Sequence, residues 1–185
     1  MKRCEWPKDD ELMIKYHDLE WGTPCHNDRK LFEYILLDTF QAGLSWRTIL
    51  YKRKNFKKAF DNFDYKKIAK YGARERARLL KDAGIIRNRL KIDGTATNAK
   101  VFIELQKEFG SFDKYVWSFV GGKPKVNKVK HLSELRATSK ESDALSKDLK
   151  NRGMKFVGST IIYAFMQGAG LVNDHVVDCF RHKEV

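Results

Sequence analysis

Successive segments of this chain carry apolar residues at helical spacing, with capping residues at their ends. In DRKLFEYILLDTF the apolar side chains share one wide face, preceded by Asn27 or Asp28 as a cap. The same periodicity returns further along the chain in WRTILYKRKNFKKAFDNF, DYKKIAKY, RERARLLKDAG, NAKVFIELQKEFG and TSKESDALSKDLKNRG. Patterns of alternating strand residues are scarce. The sequence therefore predicts an all-α fold.

Glycines and polar caps predict where several of these helices begin and end. One helix should end at Gly84 and the next at Gly110. A later helix should open with a capping box from Thr138 to Glu141 and stop at Gly153.

Length and composition indicate one domain, or one domain with two lobes. The chain has 185 residues, of which 42% are hydrophobic, so it can bury a real core. The segment 121–132, GGKPKVNKVKHL, is predicted to be a surface loop. There is no internal repeat.

The charge is strongly positive, with 37 Lys and Arg against 24 Asp and Glu, a net charge of +13 and a pI near 9.6. Such a domain is expected to meet a polyanion, although a merely solvated surface is the alternative. The first residues lack the apolar run of a signal peptide, and no window has the apolar length of a membrane span. Three cysteines cannot form a complete disulfide framework, so we expect a cytoplasmic location.

The segment LKNRGMKFVGSTIIYAFMQ predicts two helices joined by a short turn. The first helix ends at Gly153, and Gly158 starts the second, with Ser159 and Thr160 in its first turn. Backbone amides at a helix N-terminus can bind a phosphate, and Lys155 adds a charge. This pattern is typical of a helix-hairpin-helix that holds the DNA backbone without reading sequence, but an ordinary αα-hairpin stays open.

Near the end of the chain, His175 and Cys179 are four residues apart. On a helix this spacing is one turn, so both side chains could point the same way. They are either metal ligands or buried core residues.

Long runs of the sequence resemble the 3-methyladenine DNA glycosylase I family, the constitutive bacterial type within the helix-hairpin-helix DNA glycosylase superfamily. The runs are RCEW at 3–6, YHDLEWG at 16–22, QAGLSW at 41–46, AGIIRNRLKI at 83–92, WSFV at 117–120 and DALSKDLKNRGMKFVGSTIIYAFMQGAGLVNDH at 143–175, followed by Cys179. The resemblance implies a single catalytic domain over residues 1–185 with two helical lobes. Its helix-hairpin-helix should lie at about 143–170.

The resemblance also implies one structural Zn²⁺ ion bound by Cys4, His17, His175 and Cys179. Two thiolates and two imidazoles complete a tetrahedron and leave no open position for catalysis. The ion would join the N- and C-terminal segments, which otherwise tend to fray. Cys25 and the adjacent His26 match no family ligand.

The family pattern places Tyr16, Trp21 and Trp46 around a flipped base, together with a carboxylate. A cationic methylated purine is favoured by both aromatic faces and a carboxylate. The carboxylate here is Asp38, where the family typically has glutamate, and Met13 stands where an aromatic residue is common. Asp38 and Tyr16 are the predicted catalytic residues. The alternative for each aromatic ring is ordinary core packing.

Leu44, directly after Gly43, is the predicted wedge into the gap that a flipped base leaves, with a core leucine as the alternative. With Gly43, Lys155, Gly158 and Ser159, it forms the predicted DNA-binding set.

Many relatives in the superfamily carry a catalytic aspartate shortly after the hairpin, where this chain has Asn173 and then Asp174. The bond to a cationic purine is already weak, so a missing acid is tolerable. No lysine stands out as a Schiff-base nucleophile, which predicts a monofunctional enzyme.

The predicted function is the release of 3-methyladenine from alkylated double-stranded DNA by a monomeric protein. The alternatives are a glycosylase for another alkylated base, a hydrolase acting on RNA or nucleotides, and a non-enzymatic zinc-containing DNA-binding protein.

Overall fold

The structure is a computed structural model that describes residues 2–185, and these residues are mostly helical. The α-helices are α1 (Glu11–Leu19), α2 (Asp28–Gln41), α3 (Trp46–Ala59), α4 (Tyr65–Ile68), α5 (Ala73–Lys81), α6 (Arg89–Phe109), α7 (Phe112–Ser118), α8 (Lys140–Asn151) and α9 (Ser159–Gly168). Short 3₁₀ turns lie at Asp61–Phe63, Leu132–Glu134 and Phe180–Lys183. The helical prediction is confirmed.

The helices α2 and α6 run through the centre of the molecule. Nine of the 14 residues of α2 are buried, and the helix packs against α3, α6, α7 and α9. Asn27 caps α2, its side chain accepting a hydrogen bond from the Lys30 amide at 3.0 Å. Asp28 instead accepts from the amides of Phe112 and Asp113, at 3.1 and 2.8 Å, and so joins the first turn of α2 to that of α7.

Two helix boundaries differ from the sequence prediction. Helix α5 ends at Lys81 and not at Gly84, because the Asp82 side chain accepts from the Gly84 amide at 2.8 Å and turns the chain early. The capping box of α8 joins Ser139 to Ser142 and not Thr138 to Glu141.

Other predicted boundaries are confirmed. Helix α6 ends at Phe109, and its C-cap Gly110 has φ 85°, a left-handed conformation that favours glycine. Gly153 follows α8 with φ 96°, and Gly158 is the N-cap of α9.

The loop 121–132 is not wholly irregular. Its strand β1 (Lys125–Val126) pairs in parallel with β2 (Val172–Asn173). The structure therefore adds a two-stranded ribbon to the all-α prediction. None of the helices formed by residues 2–185 combines the length and the apolar character needed to cross a membrane.

The segment from His175 to Cys179 is not helical, so the four-residue spacing of these two side chains does not correspond to a helical turn. Asn173 holds this segment in an irregular conformation: its Oδ1 accepts from the His175 amide at 3.1 Å. Its Nδ2 donates to the carbonyl oxygens of His182 and Val185, each at 3.0 Å. These side-chain bonds replace those of a helix.

Candidate functional site

A cavity of about 330 Å³ lies between the N-terminal segment, α1, α2, α3 and α9. This volume is within the range of about 300–1,000 Å³ that ligand pockets occupy. Four aromatic rings, three polar side chains and four apolar side chains line it: Trp6, Tyr16, Trp21, Trp46; Asp38, Gln41, Gln167; Met13, Leu132, Leu135, Ala164. All four residues predicted to surround a base line this one cavity.

The aromatic walls are held by contacts with one another. The Tyr16 and Trp46 rings have centroids 5.1 Å apart and are tilted by 44°. Trp6 packs edge-on against Trp21 at 5.2 Å. Offset and edge-to-face pairs of this kind are the favoured aromatic arrangements. The walls therefore have fixed faces on which a planar, positively charged ring can stack.

Asp38, near the C-terminal end of α2, is the one acidic side chain among the described residues that line the cavity. It is buried, and none of the hydrogen bonds within residues 2–185 involves its carboxylate. Burial raises the pKa of the Asp38 carboxyl well above its ordinary value, with only Arg53 opposing this shift. Arg53 itself is engaged by Glu20 and Glu33, at 2.8 and 2.7 Å.

Tyr16 lies on α1 with its hydroxyl directed at α9, since a Cβ placed on Gly168 would be 3.1 Å from the Tyr16 oxygen. Burial, and then the nearby Asp38, raise the pKa of this phenol well above its usual value. The hydroxyl therefore stays neutral and can donate a hydrogen bond in the cavity.

Two indole donors in the cavity wall lack acceptors. The Nε1 atoms of Trp6 and Trp46 are buried and have no hydrogen-bond partner within residues 2–185. An unpaired buried donor is costly, so these groups are suited to an acceptor carried by a ligand.

The second cluster is formed by Cys4, His17, His175 and Cys179, whose ligand atoms all lie within 4.8 Å of one another. All four side chains are buried. The S–N separations are 3.6 Å from Cys4 to His175, 3.6 Å from Cys179 to His175 and 3.5 Å from Cys179 to His17. A tetrahedron with zinc–ligand bonds of about 2.3 and 2.05 Å has S–N edges of about 3.6 Å. The four predicted ligands thus form a set that fits a tetrahedral ion.

Hydrogen bonds outside the cluster fix which nitrogen of each imidazole faces inward. His17 Nδ1 lies 2.7 Å from an Asp18 oxygen, and His175 Nε2 lies 3.0 Å from the Trp21 carbonyl oxygen. His17 Nε2 and His175 Nδ1 are therefore free to bind an ion.

The electrostatics of the cluster also suit a bound cation. Burial lowers the pKa of His175 to about 4, which keeps the ring neutral. Burial raises the pKa of Cys4 to about 12, so a nearby cation is needed to hold its thiolate.

The metal cluster and the cavity share a wall. The Trp21 ring packs edge-on against the His175 ring, with centroids 4.6 Å apart. The next residue, Gly22, has φ 80°, and a Cβ there would be 2.9 Å from His175 Nε2. Glycine is required at this position both by the backbone conformation and by the imidazole.

The turn between α8 and α9 is rigidly held. Asn98 accepts from the Lys155 amide at 2.7 Å and donates to the Lys155 carbonyl oxygen at 3.0 Å. The amides of Gly158 and Ser159 find no acceptor in the described part of the chain, as expected at a helix start. The Ser159 hydroxyl is already bonded to Asp143 and Ser142, so only its amide is available.

Leu44 stands at the exposed tip between α2 and α3, with 43% of its surface accessible, so the alternative of a core leucine is excluded. Gly43 precedes it with φ 79°. The tip is anchored by Lys91, a buried ammonium that donates to the carbonyl oxygens of Phe40 and Ala42 at 2.8 and 2.5 Å.

Neither residue at the predicted position of a superfamily carboxylate lines the cavity. Asn173 is bonded to the C-terminal tail, as described above. Asp174 accepts from Tyr163, Gln167 and Asn127 at 2.7–2.8 Å.

Sequence reasoning did not single out six residues of the cavity wall, which are Trp6, Gln41, Gln167, Leu132, Leu135 and Ala164. Trp6 lies within RCEW and Ala164 within the long run 143–175. Gln41 lies within QAGLSW and Gln167 within the long run 143–175. The matched runs were therefore the available signal for these residues, whereas Leu132 and Leu135 lie outside the runs.

The fold and the site define a class of helical proteins with an aromatic, acidic cavity beside a Cys₂His₂ cluster. A family model described as methyladenine glycosylase matches residues 6–182, and the chain belongs to that family.

Known proteins agree with this assignment over nearly the whole chain. DNA-3-methyladenine glycosylase 1 of Escherichia coli (strain K12) is 50% identical over 179 residues, covering 97% of this chain and 96% of the relative. A crystal structure of 3-methyladenine DNA glycosylase I superposes with a TM-score of 0.94 at 47% identity, covering 97% of this chain and 98% of the other. A tyrosine-to-phenylalanine variant of 3-methyladenine DNA glycosylase I, in complex with 3-methyladenine, matches with a TM-score of 0.94 at 34% identity and covers 97% of each chain.

Proposed function

We propose that this protein is a monofunctional DNA glycosylase that releases 3-methyladenine from alkylated duplex DNA, the first step of base-excision repair. The observation that carries the proposal is the buried, unpaired carboxylate of Asp38 in a cavity walled by aromatic rings. The E. coli relative named DNA-3-methyladenine glycosylase 1 supports it.

Recognition rests on the charge of the lesion. Burial in the cavity wall favours the neutral form of Asp38, because it penalises the carboxylate. A 3-methyladenine nucleoside is cationic and offsets this cost, whereas undamaged adenine is neutral and does not. The rings of Trp46 and Tyr16 add stabilisation of the cation.

The chemistry then needs little acid catalysis. The bond between C1′ of the sugar and the purine nitrogen breaks, and its electron pair neutralises the departing base. A water oxygen bonds to C1′ and releases one proton to the surrounding water. No lysine is among the described residues that line the cavity, which supports hydrolysis without strand cleavage.

Asp38 favours a second candidate, a glycosylase for another alkylated base. The side chain of aspartate is shorter than that of glutamate by one methylene, which leaves more space in the cavity. The side chain of Met13, in the same wall, is of a flexible type. A larger or differently placed methyl group would use this space.

We also propose one structural Zn²⁺ ion at Cys4, His17, His175 and Cys179. The S–N distances and the inward-facing nitrogens support this ion over others, since two thiolates with two imidazoles are a typical zinc set. It would fasten the first residues of the chain to the last.

The DNA contacts are proposed at two places. The turn between α8 and α9, acting as a helix-hairpin-helix, would bind a phosphate through the amides of Gly158 and Ser159, with Lys155 nearby. At the other place, the exposed Leu44 would enter the duplex where the base leaves, with Gly43 allowing close approach. We propose that residues 1–185 act as one catalytic domain and as a monomer in the cytoplasm.

The test is to incubate the protein with methylated duplex DNA and identify the free bases by mass spectrometry. We expect 3-methyladenine in solution, with the sugar–phosphate strand intact. Strand scission would contradict the monofunctional mechanism. Release of another alkylated base, but no 3-methyladenine, would favour the second candidate, and release of no base would leave only a DNA-binding role.

A further inference from the structure

We infer that Gln167 reads the exocyclic group of the flipped base and that Asp174 is the positioning residue that orients it. The inference rests on the proposed function and specifies how the cavity separates adenine from guanine lesions. It is carried by the hydrogen bonds of a side chain that the proposed mechanism does not use.

Asp174 is 1% exposed and is surrounded by donors. Its Oδ2 accepts from the Tyr163 hydroxyl at 2.8 Å and from Gln167 Nε2 at 2.7 Å. Its Oδ1 accepts from Asn127 Nδ2 at 2.7 Å. A carboxylate that accepts three hydrogen bonds in a buried place has a strongly favoured arrangement of partners.

This arrangement fixes the amide of Gln167. Gln167 Nε2 donates to Asp174 Oδ2 at 2.7 Å, so the NH₂ group of the Gln167 side chain is the end that faces Asp174. Its Oε1 then faces away from Asp174, and no hydrogen bond within residues 2–185 uses that oxygen. Since Gln167 lines the cavity, we infer that its Oε1 is a hydrogen-bond acceptor for a base in the cavity. The bond to Asp174, which does not line the cavity, holds the side chain in this orientation.

The other glutamine of the cavity wall provides the contrast. The side-chain amide of Gln41 takes part in no hydrogen bond in the described part of the chain. It can therefore rotate and present either its NH₂ donor or its oxygen acceptor to the cavity. Of the two glutamines, only Gln167 can therefore discriminate between a donor and an acceptor on the base.

Adenine and guanine differ in the group that such an acceptor meets. Adenine carries an N6 amino donor where guanine carries the O6 acceptor. A fixed acceptor at Gln167 Oε1 accepts a hydrogen bond from the N6 amino group of adenine. It cannot pair with O6 of guanine, because two acceptor oxygens repel each other. An unpaired buried polar group costs enough to change the preference by about 10- to 100-fold.

The test compares two bases released from one substrate. Methylated duplex DNA contains both 3-methyladenine and 3-methylguanine, and mass spectrometry gives the ratio of their initial release rates. We expect Gln167→Met, which removes the acceptor at similar volume, to lower this ratio by about 10-fold or more. Asp174→Asn should lower the release ratio as well. The amide of the new asparagine can donate as well as accept, so the side-chain amide of Gln167 can rotate by 180° and present its NH₂ group to the cavity.

The matched control is Tyr163→Phe. It removes one donor to Asp174 but leaves the bond between Asp174 and Gln167, so the release ratio should stay that of the wild type. Should Asp174→Asn lose its fold or metal, because it precedes His175, the Gln167→Met ratio decides alone.

Where a variant no longer excises, tryptophan fluorescence measures the binding of free 3-methyladenine and free 3-methylguanine. The ratio of the two affinities then takes the place of the release ratio. An unchanged ratio in Gln167→Met, by either measurement, would overturn the inference and leave the proposed function intact. A wild-type protein that neither releases nor binds 3-methyladenine would overturn both.

Discussion

The Nε2 atom of His175 lies 3.0 Å from the carbonyl oxygen of Trp21, and their rings meet edge-on. One residue belongs to the Cys₂His₂ cluster and the other to the cavity wall. The same hydrogen bond that selects the inward nitrogen of the imidazole also positions the indole. The cluster therefore supports the cavity as well as the chain ends.

Removing the metal should destabilise the protein and disturb the cavity. Free metal at about 1,000 times its Kd adds about 4 kcal/mol of stability, which corresponds to about 10 °C in Tm. We expect Cys4→Ser to bind much less than one zinc per chain, to melt lower and to bind 3-methyladenine more weakly. Metal analysis, calorimetry and tryptophan fluorescence measure these effects. Cys25→Ser, outside the cluster, is the control and should keep its metal.

Asp18 should tune the affinity for the ion through His17. Asp18→Asn weakens the bond that orients the imidazole, so zinc affinity should fall by about 10- to 100-fold while the fold is kept. Competition with a chromogenic chelator measures this change. Asp178→Asn, which breaks an exposed ion pair with Lys2, should leave the affinity as it is. Equal affinities in Asp18→Asn and wild type would refute the role of Asp18.

Asp38→Asn should lower excision while raising stability at neutral pH. The amide keeps the size but cannot neutralise a cationic base, so release of 3-methyladenine should fall while binding to undamaged DNA is unchanged. Asp38→Glu should hold or raise activity if the cavity has room. Wild-type release by Asp38→Asn would rule out the proposed role.

The stability difference between wild type and Asp38→Asn should depend on pH. Burial raises the pKa of Asp38, so between its unfolded value of about 3.9 and the raised folded value the folded protein holds one more proton. Wild-type stability is therefore lost as pH rises through this range. Denaturant unfolding at several pH values should show Asp38→Asn gaining about 1–3 kcal/mol toward neutral pH. A gain that is the same at every pH would contradict this.

Gly158→Leu should weaken binding to every DNA sequence alike. Gly158 has φ −60°, and an added Cβ would meet no atom within 4 Å, so the substitution blocks access to the amides without strain in the free protein. We expect an affinity loss of about 10-fold or more and a steep salt dependence in the wild type. Gly72→Leu, at the N-cap of α5, is the matched control. Loss confined to one sequence would argue against a backbone contact.

Leu44→Ala should separate base extrusion from base binding. Leu44 is 43% exposed, so its truncation should change stability by less than about 0.5 kcal/mol. Excision from duplex DNA should fall on the order of 10-fold, because the gap in the stack is no longer filled. Binding of free 3-methyladenine should stay unchanged. Leu90→Ala, at 67% exposure, is the control; if both variants excise alike, Leu44 is not a wedge.

The sequence by itself determined the helices and the identities of the reactive side chains. Helical periodicity and caps act over a few residues, which is why Gly110 and Gly158 could be assigned from the chain alone, and why the cap of α2 could be narrowed to Asn27 or Asp28. Even so, the cap of α8 was misplaced by one residue, because Thr138 and Ser139 are both good caps and local sequence does not choose between them.

Only the tertiary structure decided how distant segments meet. Cys4 and His175 are 171 positions apart, and no local pattern fixes their separation of 3.6 Å. The irregular path from His175 to Cys179 follows from the hydrogen bonds of Asn173 to the tail. The orientation of Gln167 follows from Asp174 in the same way. Long-range packing and buried hydrogen bonds make these choices, since their free energy exists only once the segments are together.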